Sequence, residues 1–391
     1  MDETTVDVLT SPAGRALLDD IGSLAPDTDI VRLVSRLRAA GHAPDLVSAV
    51  VEQGRLRFHA RAKFGDAAGS MYFTRDGLEQ ATRARVARHH ATRFVAAGIR
   101  SVIDLGCGIG ADARAFADAG LDVLAVDRDP TTAAWARENL APYPRARVVT
   151  ADAQSIDVTA AESLWFDPAR RSASRRLVDP ADWSPPLDWV FALSARAPTG
   201  IKLGPGIDHG LIPAGTEAQW ISADREVVEV VVWSAALARP GVGRSALVLG
   251  PHGSAELTGP GPAPDAEVRT LGRYLVEPDG AVIRARLIGD LARRLHGGML
   301  DPTIAWITTD AVPDVDGLGQ AFNVLERYPL DVKLLRREVG PRFGRLEIKT
   351  RGVDLDPATL RPRLSLRGEG DGVLILTRVA GQRSAILAER V

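Results

Sequence analysis

The chain has a single cysteine, Cys107, among 391 residues. That excludes an internal disulfide framework and removes any reason to expect an oxidising compartment. Aromatic residues make up 5% of the chain, and its most apolar stretch, VVEVVVWSAALA, is short and carries a glutamate. No membrane span is therefore expected. Charge of one sign is also lacking: 48 Lys and Arg stand against 50 Asp and Glu, a net of −2. A partner must be met by local patches rather than by the field of the whole chain. The seven histidines and the one cysteine show no metal-ligand spacing, so no metal is expected. The opening MDETTVDVLTSP is acidic and polar, unlike a signal peptide, and the expected location is cytoplasmic.

What is present falls into three textures, in keeping with a length that exceeds one hydrophobic core. Residues 1–98 read as helical. DTDIVRLVSRLRAAG carries apolar Ile30, Val31, Leu33, Val34 and Leu37 and ends at Gly41, and a longer run starts at Thr74 as N-cap and closes at Gly98. From Ile99, short β-rich runs (SVIDLG, DVLAVD, ARVVTAD, SLWFD) alternate with helical ones. That alternation predicts an α/β domain over 99–255, with a parallel sheet covered by helices on both faces. Further strands are expected in WVFAL, GIKLG, EVVEVVVW and RSALVLG, and the Gly/Pro-rich GPHGSAELTGPGPAPDAE reads as a linker or domain boundary. Residues 266–391 form a third, α+β region, with a strand at GRLEIKTRG, a helix capped by Asp356 with Pro357 at its first position, and a closing hairpin.

The run VIDLGCGIGADA places Asp104, Gly106, Gly108 and Gly110 between a strand and a helix. Glycines permit a tight turn and close approach of a ligand to the main chain, and the following helix offers free N–H groups. With Ala111 after Gly110, the run also meets the looser dinucleotide fingerprint. Asp104 separates the two readings, because a carboxylate at that strand end repels a pyrophosphate and suits a cation. Asp127 ends the next strand, where an acid can accept from ribose hydroxyls, and Asp152 ends the third, where it can meet an adenine amino group. Three acids at three successive strand ends lie on the edge where open α/β sheets bind ligands. Cys107 reads as a small loop filler rather than a nucleophile.

This pattern resembles the class I S-adenosylmethionine-dependent methyltransferases, with their Rossmann-like sheet. The resemblance implies S-adenosylmethionine as cofactor: Asp104 and the glycine loop on its methionine part, Asp127 on the ribose, and Asp152 with the adjacent Ala153 on the adenine. In such a fold the end of the fourth strand faces the methyl group. There this chain reads WFDPARR, where amino-methyltransferases of nucleic-acid bases carry Asp or Asn, Pro, Pro and an aromatic residue. Asp167 and Pro168 match; Ala169 and Arg170 depart. An exocyclic amine is a poor nucleophile, and a side-chain oxygen with a main-chain carbonyl can hold its two hydrogens so that the lone pair meets the methyl. The resemblance makes Asp167, Pro168 and Arg170 the catalytic candidates. Phe166 or Trp183 is expected to stack on the base, Arg171 to hold base or phosphate, and Lys202 and His209 to face substrate. A lysine in a central strand is costly unless paired or used.

The run YFTRDGLEQATRARVARHHA is similar to the lead-in of RNA guanine-N2 methyltransferases of the trimethylguanosine type. It is expected to lie over the cofactor. Arg55, Arg57, Arg61, Lys63, Arg75, Arg83, Arg85, Arg88, Arg93 and Arg100 give this region a positive excess suited to phosphates. The closing RLEIKTRGVDLDPATLRPRLSLRG resembles the THUMP-like domain at the C-terminus of bacterial methyltransferases sharing the DPARR step. Between Arg327 and Arg367 eleven basic residues stand against five acidic ones. The reading is a methyltransferase acting on an exocyclic amine of a base in structured RNA. Two others stay open: a protein or small-molecule acceptor, and a catalytically silent RNA-binding module on the same fold.

Overall fold

A computed structural model describes residues 3–169, 171–172, 175–176, 179, 182–251 and 253–391. The chain divides into two compact units, Met1–Leu203 with Val232–Ala238, and Gly204–Val231 with Arg239–Val391.

The first unit opens with helices α1 (Glu3–Thr10), α2 (Pro12–Ile21), α3 (Ile30–Ala39), α4 (Pro44–Phe64), α5 (Arg75–Gln80) and α6 (Ala84–Ala96). It continues with β1 (Ser101–Leu105), α7 (Ala111–Asp118), β2 (Asp122–Asp127), α8 (Pro130–Leu140), β3 (Ala146–Thr150), β4 (Leu164–Phe166), the short strands β5 (Arg171–Ser172) and β6 (Arg175–Arg176), α9 (Leu187–Ser194) and β7 (Thr199–Leu203). Local chemistry sets many helix starts. Ser11, Asp29 and Asp129 each turn a side-chain oxygen onto a free N–H of the first turn, and Pro12, Pro44 and Pro130 occupy first helical positions that need no donor.

Where the sequence predicts one long helix from Thr74 to Gly98, there are two. Thr74 does cap α5, through a bond from Gly77 N–H. The chain then turns extended at Ala81 and Arg83, and the Lys63 ammonium donates to the carbonyls of Leu78, Glu79 and Ala81. A cation on the last carbonyls ends a helix much as a C-cap does.

Strands β1 to β4 and β7 pair in parallel in the order β7-β4-β1-β2-β3. The order reverses between β1 and β4, which makes the carboxyl ends of those two strands the crevice of the sheet. Behind it, Trp165 on β4 is fully buried among Phe94, Phe116, Trp233 and the imidazole of His90, whose centroid lies 4.5 Å away. WVFAL, expected as a strand, lies in α9. Pro186 precedes the first helical residue and Asp188 favours the first turn, and a short apolar run cannot by periodicity tell a strand from a buried helix.

The second unit holds β8 (Glu217–Ala223), most of β9 (Glu226–Trp233), β10 (Arg244–Gly250), β11 (Gly253–Gly259), β12 (Tyr274–Pro278), α10 (Gly280–Arg284), α11 (Ile288–Arg294), β13 (Gly298–Asp301), β14 (Ile304–Thr309), β15 (Gly319–Pro329), α12 (Val332–Glu338), β16 (Phe343–Thr350), α13 (Pro357–Leu364), β17 (Gly370–Val379) and β18 (Gln382–Arg390). The expected linker is partly strand: β11 pairs antiparallel with β10, from Gly250↔Gly253 to Arg244↔Gly259. The last seven strands form a sheet in the order β13-β14-β12-β15-β18-β17-β16. Helices α12 and α13 bury Leu335, Val339, Leu360 and Leu364 against its strands β16 to β18. Asp356 caps α13, and β17 and β18 form the expected hairpin.

Candidate active site

The loop after β1 is held from two sides. Gly106 and Cys107 both donate their N–H to the Val126 carbonyl at the end of β2, at 2.9 and 3.0 Å. Gly106 has φ of 100°, and a Cβ there would meet the Asp167 carbonyl oxygen at 3.0 Å. Glycine at 106 is thus favoured twice, by its positive φ and by the tight approach of the β4 end. Gly108 N–H donates to one Asp127 oxygen (3.0 Å) and Asp129 N–H to the other (2.9 Å). A carboxylate can accept about four hydrogen bonds, so Asp127 keeps capacity for a ligand's hydroxyls. Burial, outweighing those two bonds, pushes its carboxyl above the usual range.

Asp104 is 1% exposed, and neither of its oxygens has a hydrogen-bond partner among the described residues. Burial first, then the charges of Asp112 and Asp167, push its carboxyl well up; Lys202 opposes them and Asp127 adds to them. Three carboxylates, Asp104, Asp112 and Asp167, thus feel one ammonium, and Asp127 adds a fourth negative charge near Asp104. Such a site attracts a cation that brings hydrogen-bond donors. Asp152, after β3, is exposed and caps a short turn through Gln154 N–H (2.8 Å), with half-buried Ala153 beside it. Burial and the charges of Asp104 and Asp127 push the buried Cys107 thiol up, which leaves it inert.

At the end of β4, Asp167 is half-buried and forms an ion pair with the Lys202 ammonium from β7. Lys202 also donates to Thr82 Oγ1 (2.9 Å) and stands 3.8 Å from Asp112. Thr82 donates to Asp112 Oδ2 (2.6 Å), and His90 Nδ1 meets Asp112 Oδ1 at 2.9 Å. Burial raises the Asp112 carboxyl, but the bond from His90, the Lys202 charge and the bond from Thr82 outweigh it and hold it below the usual range. A buried chain, His90–Asp112–Thr82–Lys202, thus ends on Asp167. Lys202 is the costly strand lysine of the sequence, and it is paired. The break between α5 and α6 is what frees Thr82 to enter this chain.

No described residue donates a hydrogen bond to the Pro168 carbonyl. Arg170 lies outside the described residues, and Arg171 belongs to the two-residue strand β5. Phe166 is a correction: it is fully buried, edge-on to Trp189 with centroids 5.8 Å apart, so it packs α9 on β4 and offers no face to a base. Trp183 is 6% exposed and is equally a packing residue. His209 belongs to the second unit, where it stacks on Trp220.

The arginine-rich lead-in is only partly a free cationic face. Arg57 is buried, donates to the Met71 carbonyl (3.0 Å) and covers the Tyr72 ring; Arg75 pairs with Glu52; Arg93 lies over Trp233. Lys63 is spent on α5. The lead-in does reach the glycine loop. Buried Asn139 on α8 accepts from Tyr72 N–H (2.8 Å) and donates to the carbonyls of Tyr72 and Ile109 (2.9 Å each), while Tyr72 stacks on Trp135. Sequence reasoning misses the roles of Thr82, His90, Asp112 and Asn139.

Among the described residues, no group of His, Cys, Asp and Glu could hold a metal ion, and no helix is long and apolar enough to cross a membrane. A methyltransferase-domain model matches residues 102–167, a THUMP-like domain model residues 319–390, and a domain of unknown function residues 2–60. Two relatives from strains of Mycobacterium tuberculosis, each described as an uncharacterized S-adenosylmethionine-dependent methyltransferase, are 35% identical over 367 residues, 90% of this chain and 98% of theirs. The chain belongs to the S-adenosylmethionine-dependent methyltransferases.

The methyltransferase fold agrees. A crystal structure described as that of a candidate methyltransferase from Porphyromonas gingivalis is similar over 100% of this chain and 99% of that one, with a TM-score of 0.75 at 22% identity. S-adenosylmethionine fits the residues present. Its sulfonium and ammonium are the positive charges that a surplus of buried carboxylates lacks, and the orphaned Asp104 is the acceptor that such donors need.

Proposed function

We propose that this methyltransferase modifies an exocyclic amine of a base in structured RNA, with Asp167 aligning the acceptor. The observation that carries the reading is the position of Asp167: at the end of β4, with its main chain against the glycine loop at Gly106, and with its carboxylate fixed by Lys202. In this reading Asp104 and the loop hold the methionine part, Asp127 the ribose, and Asp152 with Ala153 the adenine. Bound there, S-adenosylmethionine supplies a methyl group already attached to its leaving group. The protein's task is therefore positioning.

Asp167 accepts one amine hydrogen and the Pro168 carbonyl the other, so that the nitrogen lone pair is turned away from the base ring. Lys202 holds the carboxylate against rotation, and Thr82, Asp112 and His90 hold Lys202. Because the amine sheds its proton after methylation, no strong base is needed, and the fixed Asp167 carboxylate is the adjacent acceptor. Arg170 and Arg171, next in the chain, are assigned to the base or its phosphate. The RNA reading is supported by the match to the amino-methyltransferase motif at Asp167 and Pro168. It is supported also by the THUMP-like region, where basic residues outnumber acidic ones. On this account residues 1–98 and 266–391 grip the RNA, residues 99–255 carry the chemistry, and the protein works in the cytoplasm.

The test is transfer of labelled methyl from S-adenosylmethionine to total RNA from cells lacking the gene. A discrete labelled RNA is expected with the wild type and none with Asp167→Ala. Measurable cofactor binding with no label in RNA would overturn the reading.

A further inference from the structure

A second concentration of charge lies wholly within the second unit and shares no residue with the strand-end carboxylates. Trp220 on β8 is fully buried. His209 stacks on its indole, with centroids 4.9 Å apart and planes inclined by 18°, and the Arg244 guanidinium lies 5.5 Å from the same indole. Strand register brings this about: Arg244 is opposite Ala218 and Ala246 opposite Trp220, so Arg244 and Trp220 share one face of the sheet. Helix α10 packs on β8 and β10; Arg284 is its last residue, and Arg286 follows with φ of 58°. That left-handed conformation favours glycine, yet an arginine occupies it.

Charges here do not balance. Burial first, then Arg286 and Arg244, with a smaller push from Arg284, hold the His209 imidazole below its usual range against the opposing charge of Asp208. Asp208 is itself engaged, accepting from Gly210 N–H at 2.9 Å. Burial and Arg286 likewise lower Arg244. Arg284 and Arg286 form no ion pair among the described residues, and Arg244 Nε and His209 Nδ1 are buried with no hydrogen-bond partner. A buried donor left unpaired is costly, and more so when it is charged. A tetrahedral oxyanion supplies both missing acceptors and the missing negative charge, and arginine forks match its oxygens.

We propose that Arg244, Arg284, Arg286 and His209 form a phosphate-binding site, and that it takes a backbone phosphate of the RNA substrate. Only the source of the phosphate rests on the RNA reading; the site itself does not. His209 donates through Nδ1 and Arg244 through Nε, and the exposed Arg284 and Arg286, at and just after the end of α10, add positive charge.

Two arms test it on the full chain. In the first, histidine-labelled protein is titrated with inorganic phosphate and the His209 imidazole resonances, assigned by their disappearance in His209→Gln, are followed by NMR. They are expected to shift in the wild type and to stay in place in the Arg244→Gln/Arg286→Gln double variant. In the second, RNA affinity is measured against salt. The double variant is expected to bind roughly tenfold more weakly at low salt, with a slope shallower by about 0.7 for each phosphate that is no longer neutralised. An unchanged urea-unfolding curve, with unchanged S-adenosylmethionine binding, shows that both units of the variant are folded. A phosphate response with unaltered RNA binding keeps the site and assigns it to a small phosphorylated compound. No His209 response together with unaltered RNA binding overturns the proposal.

Discussion

On the proposed reading, Asp104 is a liability to the fold and an asset to the site. Its carboxyl is raised by burial and by its acidic neighbours. A raised carboxyl stabilises the fold only while protonated. That contribution is complete below the unfolded value, about 3.9, and is lost as pH rises through the folded value. Cofactor binding has the opposite sense, because the charged form attracts the cation. Asp104→Asn is therefore expected to raise the melting temperature of the cofactor-free protein near neutral pH. It is also expected to weaken S-adenosylmethionine binding about 10- to 100-fold and to flatten its pH dependence. In the wild type, calorimetric affinity should fall as pH is lowered through the folded value; affinity independent of pH would reject this role for Asp104. Lys202 acts on Asp167 by charge and direction. Lys202→Met should lower kcat by about tenfold or more while cofactor affinity does not fall, and Lys202→Arg should restore part of the kcat. In an Asp167→Asn background, Lys202→Met should cost almost nothing further, since contacting residues are non-additive. Additive losses would show that Lys202 works independently of Asp167.

At the scale of elements, the glycine loop is steadied by α8 and by the segment before α5. Asn139 joins them with three buried bonds, to Tyr72 twice and Ile109 once. Asn139→Leu removes the partner of one buried N–H and two buried carbonyls, and a loss of about 2–4 kcal/mol in urea unfolding is expected. Cofactor affinity should fall as well, because Ile109 lies in the loop; a change below about 0.5 kcal/mol would exclude Asn139 as the tie. The acids at strand ends are legible in the sequence because each closes a short β-rich run, a position that the α/β pattern alone assigns to the ligand edge. The Thr82–Asp112–His90 chain is not, because its members lie on separate elements and each reads as an ordinary polar helix or turn residue. Asn139 is hidden for the same reason, on a helix whose polar positions look solvated. Phe166 misleads because a hydrophobic residue at a strand end can face either way, and only α9 decides it. α9 itself reads as a strand because an apolar run of that length carries no usable period.

For the whole molecule, both units hold charge arrangements that the net charge of −2 conceals. The first concentrates carboxylates where a cationic cofactor fits, and the second concentrates arginines around His209 where an anion fits. Part of the apparent basic excess of the lead-in is structural, through Arg57, Lys63 and Arg93, and exposed Arg75 pairs with Glu52, so the lead-in offers fewer phosphate contacts than its arginine count implies. RNA affinity is expected to fall with salt more gently than a count of all ten lead-in cations predicts. The most direct measurement is mass spectrometry of nucleosides from RNA of cells lacking the gene, of those cells carrying the wild-type gene, and of those carrying Asp167→Ala. The account predicts one amine-methylated nucleoside that is absent without the gene, returns with the wild type and stays absent with the variant. An identical nucleoside profile in all three, with the wild-type protein present and able to bind S-adenosylmethionine, would contradict it.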